Sequence, residues 1–232
     1  MDLFEVIQKR RSVRKFTDQE FPEDYVLKAL RAAFQAPNSS NTQTWDFHWV
    51  KTPELKKKVV VACLSQSAAR TANHLIVITT NRKNWKRSQK GLVAWAKSSK
   101  VHPSVVTYYE KLVPIMYTSG PLNLLTPIKW LIAFGTGLFR PIMRAPLTNR
   151  DIDEVAIKSA ALAAENFVLA ITAQGGATCM MEGFDEWRMK RALKLSYSTR
   201  VVMVIAVGYP DEEKGIWGPQ YRISESKVIH TY

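Results

Sequence analysis

Two spacings of apolar residues run through this chain of 232 residues. Val26, Leu27, Leu30, Ala33 and Phe34 recur at three- and four-residue steps, which places them on one face of a helix. Pro22 suits the start of that helix, where its missing N–H costs nothing, and Pro37 stops it. A shorter helix is predicted over Leu3–Lys9, with Asp2 as its cap and Glu5 three residues on as the reciprocal partner. Leu55–Leu64 reads as a basic amphipathic helix and Glu186–Leu195 as another. Val155–Thr172 is apolar almost all round, so it must be buried or lie in an interface. Three short runs change the period. Asp46–Val50, Leu75–Thr79 and Val201–Val207 read as strands, the last a central one by its β-branched content, ended by Gly208-Tyr209-Pro210.

Between about 81 and 149 the pattern weakens. Tyr108–Met116 has some helical character, while Gly120-Pro121 and Gly135-Thr136-Gly137 read as breaks. Trp130–Met143 is rich in Leu, Ile, Phe and Trp, but Lys129 and Arg140 bound it at about ten residues, half the roughly 20 a spanning helix needs. A buried lid, or an interfacial helix, is expected; contact with a membrane surface is the less favoured reading. Helices and strands interleave along the chain, which gives the α+β or α/β class.

Composition narrows the class. Hydrophobic residues make up 46% of the chain, too many for a disordered one, and the length is most economically one domain. The first residues are acidic and lack the apolar stretch of a signal peptide. Cys63 and Cys179 lie far apart and fit a reduced, cytoplasmic setting. The net charge of +13 is lopsided: residues 1–150 carry 24 basic and 9 acidic side chains, residues 151–232 carry 9 and 11. Such a field attracts anions. Without a repeat, zinc finger or RNA-binding signature, no nucleic-acid partner is expected.

The chain has no dinucleotide fingerprint, P-loop, H-E-x-x-H or G-x-S-x-G motif, and its four histidines are scattered. His48 and His74 lie in or beside apolar strands and read as packing residues, and no metal site is expected. When side chains do not supply the hard chemistry, a cofactor can. Three polar segments offer material for one. The first is Arg10-Arg11-Ser12-Val13-Arg14, at the end of the first helix; guanidinium groups grip phosphate oxygens two at a time. The second is the loop Ala36–Trp45, dense in amides and hydroxyls. The third is Gly175–Asp185, following the apolar helix.

In order and spacing these three segments resemble the FMN-dependent nitroreductase family, over Val6 to about Leu64 and again from about Ile157 to Arg222. The resemblance implies an α+β nitroreductase-like fold: a central, mostly antiparallel sheet flanked by helices, formed as an intimate homodimer, with residues 81–149 as a variable, lid-like insertion in a single domain spanning 1–232. It assigns Arg10, Arg11, Ser12 and Arg14 to the phosphate and ribityl chain of FMN, with Arg222 joining them from the C-terminal side. It assigns Asn38, Ser39, Asn41 and Gln43 to the flavin ring of the neighbouring subunit, Gln66 as a further contact, and the backbone around Met181, Glu182 and Gly183 to the hydride-accepting nitrogen.

The function so implied is an oxidoreductase in which NADPH or NADH reduces the flavin and a small electron acceptor, a nitroaromatic or quinone, reoxidises it in ping-pong turnover. No side chain is assigned a catalytic role. Two alternatives stay open: a specialised enzyme of the same fold, reductively dehalogenating or flavin-consuming, and a flavin-binding protein without turnover.

Overall fold

The computed structural model describes residues 2–232. Its sheet has four strands: β1 (Trp45–Val50), β2 (His74–Thr80), β3 (Ala177–Met181) and β4 (Arg200–Gly208). They lie in the order β1-β2-β4-β3, every neighbouring pair antiparallel. Ten α-helices surround it among the described residues: α1 (Leu3–Lys9), α2 (Glu23–Phe34), α3 (Pro53–Ala62), α4 (Ser67–Thr71), α5 (Trp85–Ser98), α6 (Pro103–Thr107), α7 (Val113–Met116), α8 (Leu125–Gly137), α9 (Asn149–Ala173) and α10 (Glu186–Ala192).

Side chains on a strand alternate between its faces, and β2 shows why it reads as an unbroken apolar run. Leu75 and Val77 enter one core with Cys179, Met181, Val204 and Ala206, closed by α3, α4 and α10. Ile76 and Ile78 enter the other with Met203, Ile205 and Val207, closed by α2 and α9. Both faces of the two middle strands are therefore covered. Helix α9 explains its own composition: Ala160, Ala163 and Ala164 let its backbone approach the sheet, while Phe167, Val168 and Ile171 fill the space beside them. It is long and apolar enough to cross a membrane by length and composition, yet its buried face is the floor of this core. Its start is fixed by a reciprocal cap between Thr148 and Asp151. The hydrogen bonds from the backbone N–H groups of Thr148 and Leu147 hold the Asp151 carboxyl below its ordinary pKa.

Three expectations need correction, and one strand was missed. Leu27 and Phe34 do not enter the core from α2; they are 42% and 56% exposed, and Val26, Ala29 and Ala33 take the buried positions. The smaller side chains win because α2 lies close against α9, where bulk would hold the helices apart. Gly135 does not break α8, which continues to Gly137. Strand β3 was not foreseen: its five residues, Ala-Thr-Cys-Met-Met, alternate weakly and follow a glycine pair that reads only as a turn. Last, α8 is no buried lid within the chain, since Ala133 is its one buried residue.

The obscure stretch is mainly helical. A turn of π-helix, Tyr108–Leu112, joins α6 to α7, and Trp85, Leu92, Tyr109, Val113 and Tyr117 pack with Ile152 of α9 into a small third core.

Candidate functional site

The arginine run lies against the β3 edge of the sheet. After α1, the chain runs extended past β3: Ser12 bridges to Thr178, and the Val13 N–H donates to the Thr178 carbonyl at 2.9 Å. The segment after β4 returns to the same place, where the Arg14 N–H donates to the Gly215 carbonyl at 2.7 Å. Two distant parts of the chain thus wall one cleft of about 300 Å3. Arg10, Arg11, Ser12 and Arg14 line one side; Trp217, Gly218 and Arg222 line the other. Arg11 donates to the Gly218 carbonyl at 2.5 Å, and Arg14 stacks over Trp217 at 5.6 Å. The structure therefore brings together all five residues expected at the phosphate. It adds Trp217 and the Gly218 carbonyl, which only the Gly-Pro break at Gly218-Pro219 could have flagged.

The electrostatics of the cleft are one-sided. Its lining contains no carboxylate. Among the described residues, none of Arg10, Arg11, Arg14 or Arg222 forms a salt bridge. Elsewhere the arginines find partners: Arg82 grips Asp153 through both oxygens at 2.8 and 3.1 Å, and Arg87 holds Asp46 at 2.6 Å. Four guanidinium groups gathered without an internal counter-charge fit an anion with several oxygens, such as a phosphate monoester. Arg14 also donates to Cys179 Sγ at 3.8 Å. Burial pushes the Cys179 thiol up, with the Arg14 charge opposing, and burial alone pushes Cys63 up to about 12. Both thiols are buried and pack in the core beneath the sheet.

The same strand runs on for about 10 Å from Thr178 to its last residue, Met181, at the usual rise per residue, and there the turn after β3 begins. Gln66, at the start of α4, donates from Nε2 to the Gly183 carbonyl at 2.7 Å and to the Cys63 carbonyl at 3.0 Å. The Asp185 N–H donates to the Ala62 carbonyl at 2.8 Å. These bonds fix a turn in which Met181 is buried core while Glu182 and Gly183 are exposed. Glu182 and Gly183, unlike Met181, are thus presented outward.

The amide loop lies at the opposite edge, before β1. It is tightly wound: Ser40, Asn41 and Gln43 all have positive φ, near 50°, a conformation that costs non-glycine residues free energy. Asn38 offsets part of that cost by accepting the Gln43 N–H on Oδ1 at 2.8 Å. Neighbours hold the loop from outside, with Tyr108 Oη 2.6 Å from Ser40 Oγ and the Tyr117 hydroxyl donating to the Ser39 carbonyl at 3.3 Å. Ser39 and Asn41 stay exposed. Three strand spacings, roughly 14 Å, separate this edge from β3. One chain does not bring Asn38–Gln43 into the arginine cleft.

Outside these places the described residues hold little that could carry chemistry. His48 Nε2 pairs with Thr79 Oγ1 at 2.9 Å, and His74 Nε2 with the Phe21 carbonyl at 2.7 Å, so both are structural. Among the described residues no group of histidine, cysteine and carboxylate side chains is arranged to hold a metal. A larger cavity, about 680 Å3 between α3 and α10, is lined by Lys57, Lys58, Trp187, Arg188 and Arg191. Two of its cations are already engaged, Arg188 with Asp185 and Arg191 over Trp187.

Comparison with known proteins places the fold. The model of the nitroreductase family matches residues 7–209, from α1 to the end of β4. The chain belongs to the nitroreductase family. Protein DrgA of Synechocystis is 25% identical over 214 residues, 92% of this chain and 86% of that protein. A Streptococcus pyogenes protein whose name proposes NAD(P)H nitroreductase activity is 24% identical over 99% of this chain and 98% of its own. Among solved structures, a family protein of Exiguobacterium sibiricum in complex with FMN superposes with a TM-score of 0.73 at 18% identity, covering 100% of this chain and 98% of that one. The fold is that of the family, and the antiparallel sheet flanked by helices is the one expected.

Proposed function

We propose that this nitroreductase-family chain is an FMN-dependent oxidoreductase, taking reducing equivalents from NADH or NADPH and passing them to a small acceptor such as a nitroaromatic or a quinone. The observation that carries the reading is the arginine cleft with no carboxylate of its own. Arg10, Arg11, Arg14 and Arg222 would hold the phosphate, with Ser12 as a further donor. FMN, when bound, supplies hydride acceptance and donation. The chain would supply the rest: guanidinium charge at the phosphate, the exposed turn at Glu182 and Gly183 for the ring, and Gln66 to hold that turn in place. The relatives' names and the FMN-bound family member support the same reading.

The amide loop fits a homodimer. Asn38, Ser39, Asn41 and Gln43 lie too far from their own chain's arginines to complete that site, but a second copy related by a two-fold axis can offer its loop to the first. We propose that each site takes its clamp from one chain and its ring contacts from the other. Residues 1–232 then form one domain, with 81–149 as the insertion that shapes access to the site. The deciding experiment is release of the cofactor by heat and its chromatography. FMN is expected; FAD, or no flavin after reconstitution, would remove the reading. Parallel double-reciprocal lines with NAD(P)H and a quinone are expected from one site used in turn, and intersecting lines would overturn that mechanism.

A further inference from the structure

Helix α8 carries its apolar residues outward. Ile128, Trp130, Leu131, Ile132, Phe134 and, just past its end, Phe139 are between 48% and 89% exposed. At 3.6 residues per turn the helical ones cover about 200° of its circumference. It meets the protein body on a narrow remainder, through Ala133 and the Lys129 ammonium, which donates to the Thr118 carbonyl at 2.6 Å. Monomer surfaces seldom keep so continuous an apolar patch without a purpose.

Three further observations say what covers it. First, residues 111–150 contain Lys111, Lys129, Arg140, Arg144 and Arg150 and no acidic residue at all. Second, the helix is 13 residues long, about 20 Å, so it cannot cross the roughly 30 Å of hydrocarbon but can lie along its surface. Third, Trp130 and Phe134 stack with ring centroids 5.2 Å apart, and Arg140 directly follows the exposed Phe139. A two-fold contact with a second copy through this face would bring together two segments that carry basic residues and no acidic one. A protein groove would need to wrap most of the helix. A fluid anionic surface meets both demands, because acyl chains surround the apolar arc and lipid phosphates meet the arginines.

We propose that α8 and the basic residues around it dock this protein on an anionic phospholipid surface, with the helix axis in the membrane plane. It rests on no residue of the arginine cleft, so flotation and flavin release test the two readings separately.

Flotation of the purified full chain with vesicles tests it. The vesicles are pure phosphatidylcholine, or phosphatidylcholine with roughly a third phosphatidylglycerol to give a negative surface. The wild type is expected to float with the anionic vesicles, less as salt rises, and to stay behind with the neutral ones. Leu131→Asp with Phe134→Asp should abolish flotation. Arg140→Gln with Arg144→Gln should weaken it about thirtyfold, at about fivefold per basic residue near the surface. Because these side chains are exposed, the variants should keep the wild-type circular dichroism and unfolding midpoint. Equal binding to neutral vesicles would overturn the electrostatic half of the proposal. Failure of the wild type to bind either kind overturns the whole, and loss of self-association in Leu131→Asp/Phe134→Asp would then give the face to a second copy.

Discussion

The sheet with α2 and α9, and the inserted segment 81–149, put their apolar side chains to opposite uses. In the first, every large apolar residue of β2 and β4 has a facing partner, and Phe167, Ile171, Ile205 and Ile76 are completely buried. In the second, α8 is the more apolar helix, yet nearly all its large residues face outward. Hydrophobicity along the chain therefore separates helices that build a core from helices that meet something else only when the packing partner is known. The sheet body is held by contacts already present in one chain. The insertion carries surface whose use lies outside it.

The comparison can be broken most directly by truncating one aromatic ring in each region. Phe167→Ala removes a fully buried ring between α9 and the sheet and should cost about 3–5 kcal/mol. Phe134→Ala removes a ring that is 48% exposed and should change stability by no more than about 0.5 kcal/mol. Denaturant unfolding of the two variants measures both. Similar losses would show that α8 is packed in solution and would remove the contrast.

Arginines sharpen the same contrast. Arg14→Ala or Arg222→Ala should each weaken FMN binding by about ten- to a hundredfold, the worth of one charge-assisted contact of roughly 1.5–3 kcal/mol. Arg140→Ala, at the end of α8, should leave FMN affinity unchanged. Flavin titration followed by fluorescence tests all three. Equal affinity across the set would return Arg14 and Arg222 to ordinary surface charge.

How much of this was legible beforehand follows the same division. The arginine run, the amide loop and the turn at Gly183 are short contiguous segments, so their chemistry could be read without knowing where they lie. Arg222 could be placed only through the family resemblance, because nothing local to Pro219–Arg222 marks it. Trp217 and the edge strand β3 were invisible: a tryptophan in an irregular tail and five weakly alternating residues carry no periodic signal. Leu27 and Phe34 misled because helical spacing gives a face but not its depth. The depth was settled by the alanines of α9, which bring α2 in too close for large side chains. Gly135 misled because a glycine that breaks an isolated pattern can be carried through a helix at a cost of only about 1 kcal/mol.

Glycines make a finer version of the test. A methyl group added at Gly176 would lie 2.5 Å from the Phe21 ring and 2.8 Å from Ile171, so Gly176→Ala should destabilise by about 1–3 kcal/mol. A methyl at Gly135 meets nothing within 4 Å and sits inside α8. Gly135→Ala should therefore stabilise, by about 0.5–1 kcal/mol, through lost freedom in the unfolded chain and better helix propensity. Thermal unfolding of both variants reads the opposite signs. A destabilised Gly135→Ala would mean that this face of α8 is covered.

The smallest effect expected is a pH dependence confined to the sheet body. Burial disfavours the charged ring of His48 in β1, with the nearby Asp46 charge opposing, and the net result is a pKa below the ordinary histidine value. The unfolded chain then binds more protons than the folded one below about pH 6.5, so stability rises with pH through that window. It is fully present above pH 6.5 and declines as the pH falls toward the folded-state pKa. His48→Gln can keep a hydrogen bond to Thr79 while removing the titration, so its stability should be flatter between about pH 5 and 7 than that of the wild type. The measurement is the difference between the two unfolding curves at each pH, because that subtraction cancels the carboxylates shared by both proteins. A difference that does not vary with pH would mean that the His48 ring charges as readily in the fold as outside it, and that this edge of the sheet is wetter than its packing implies.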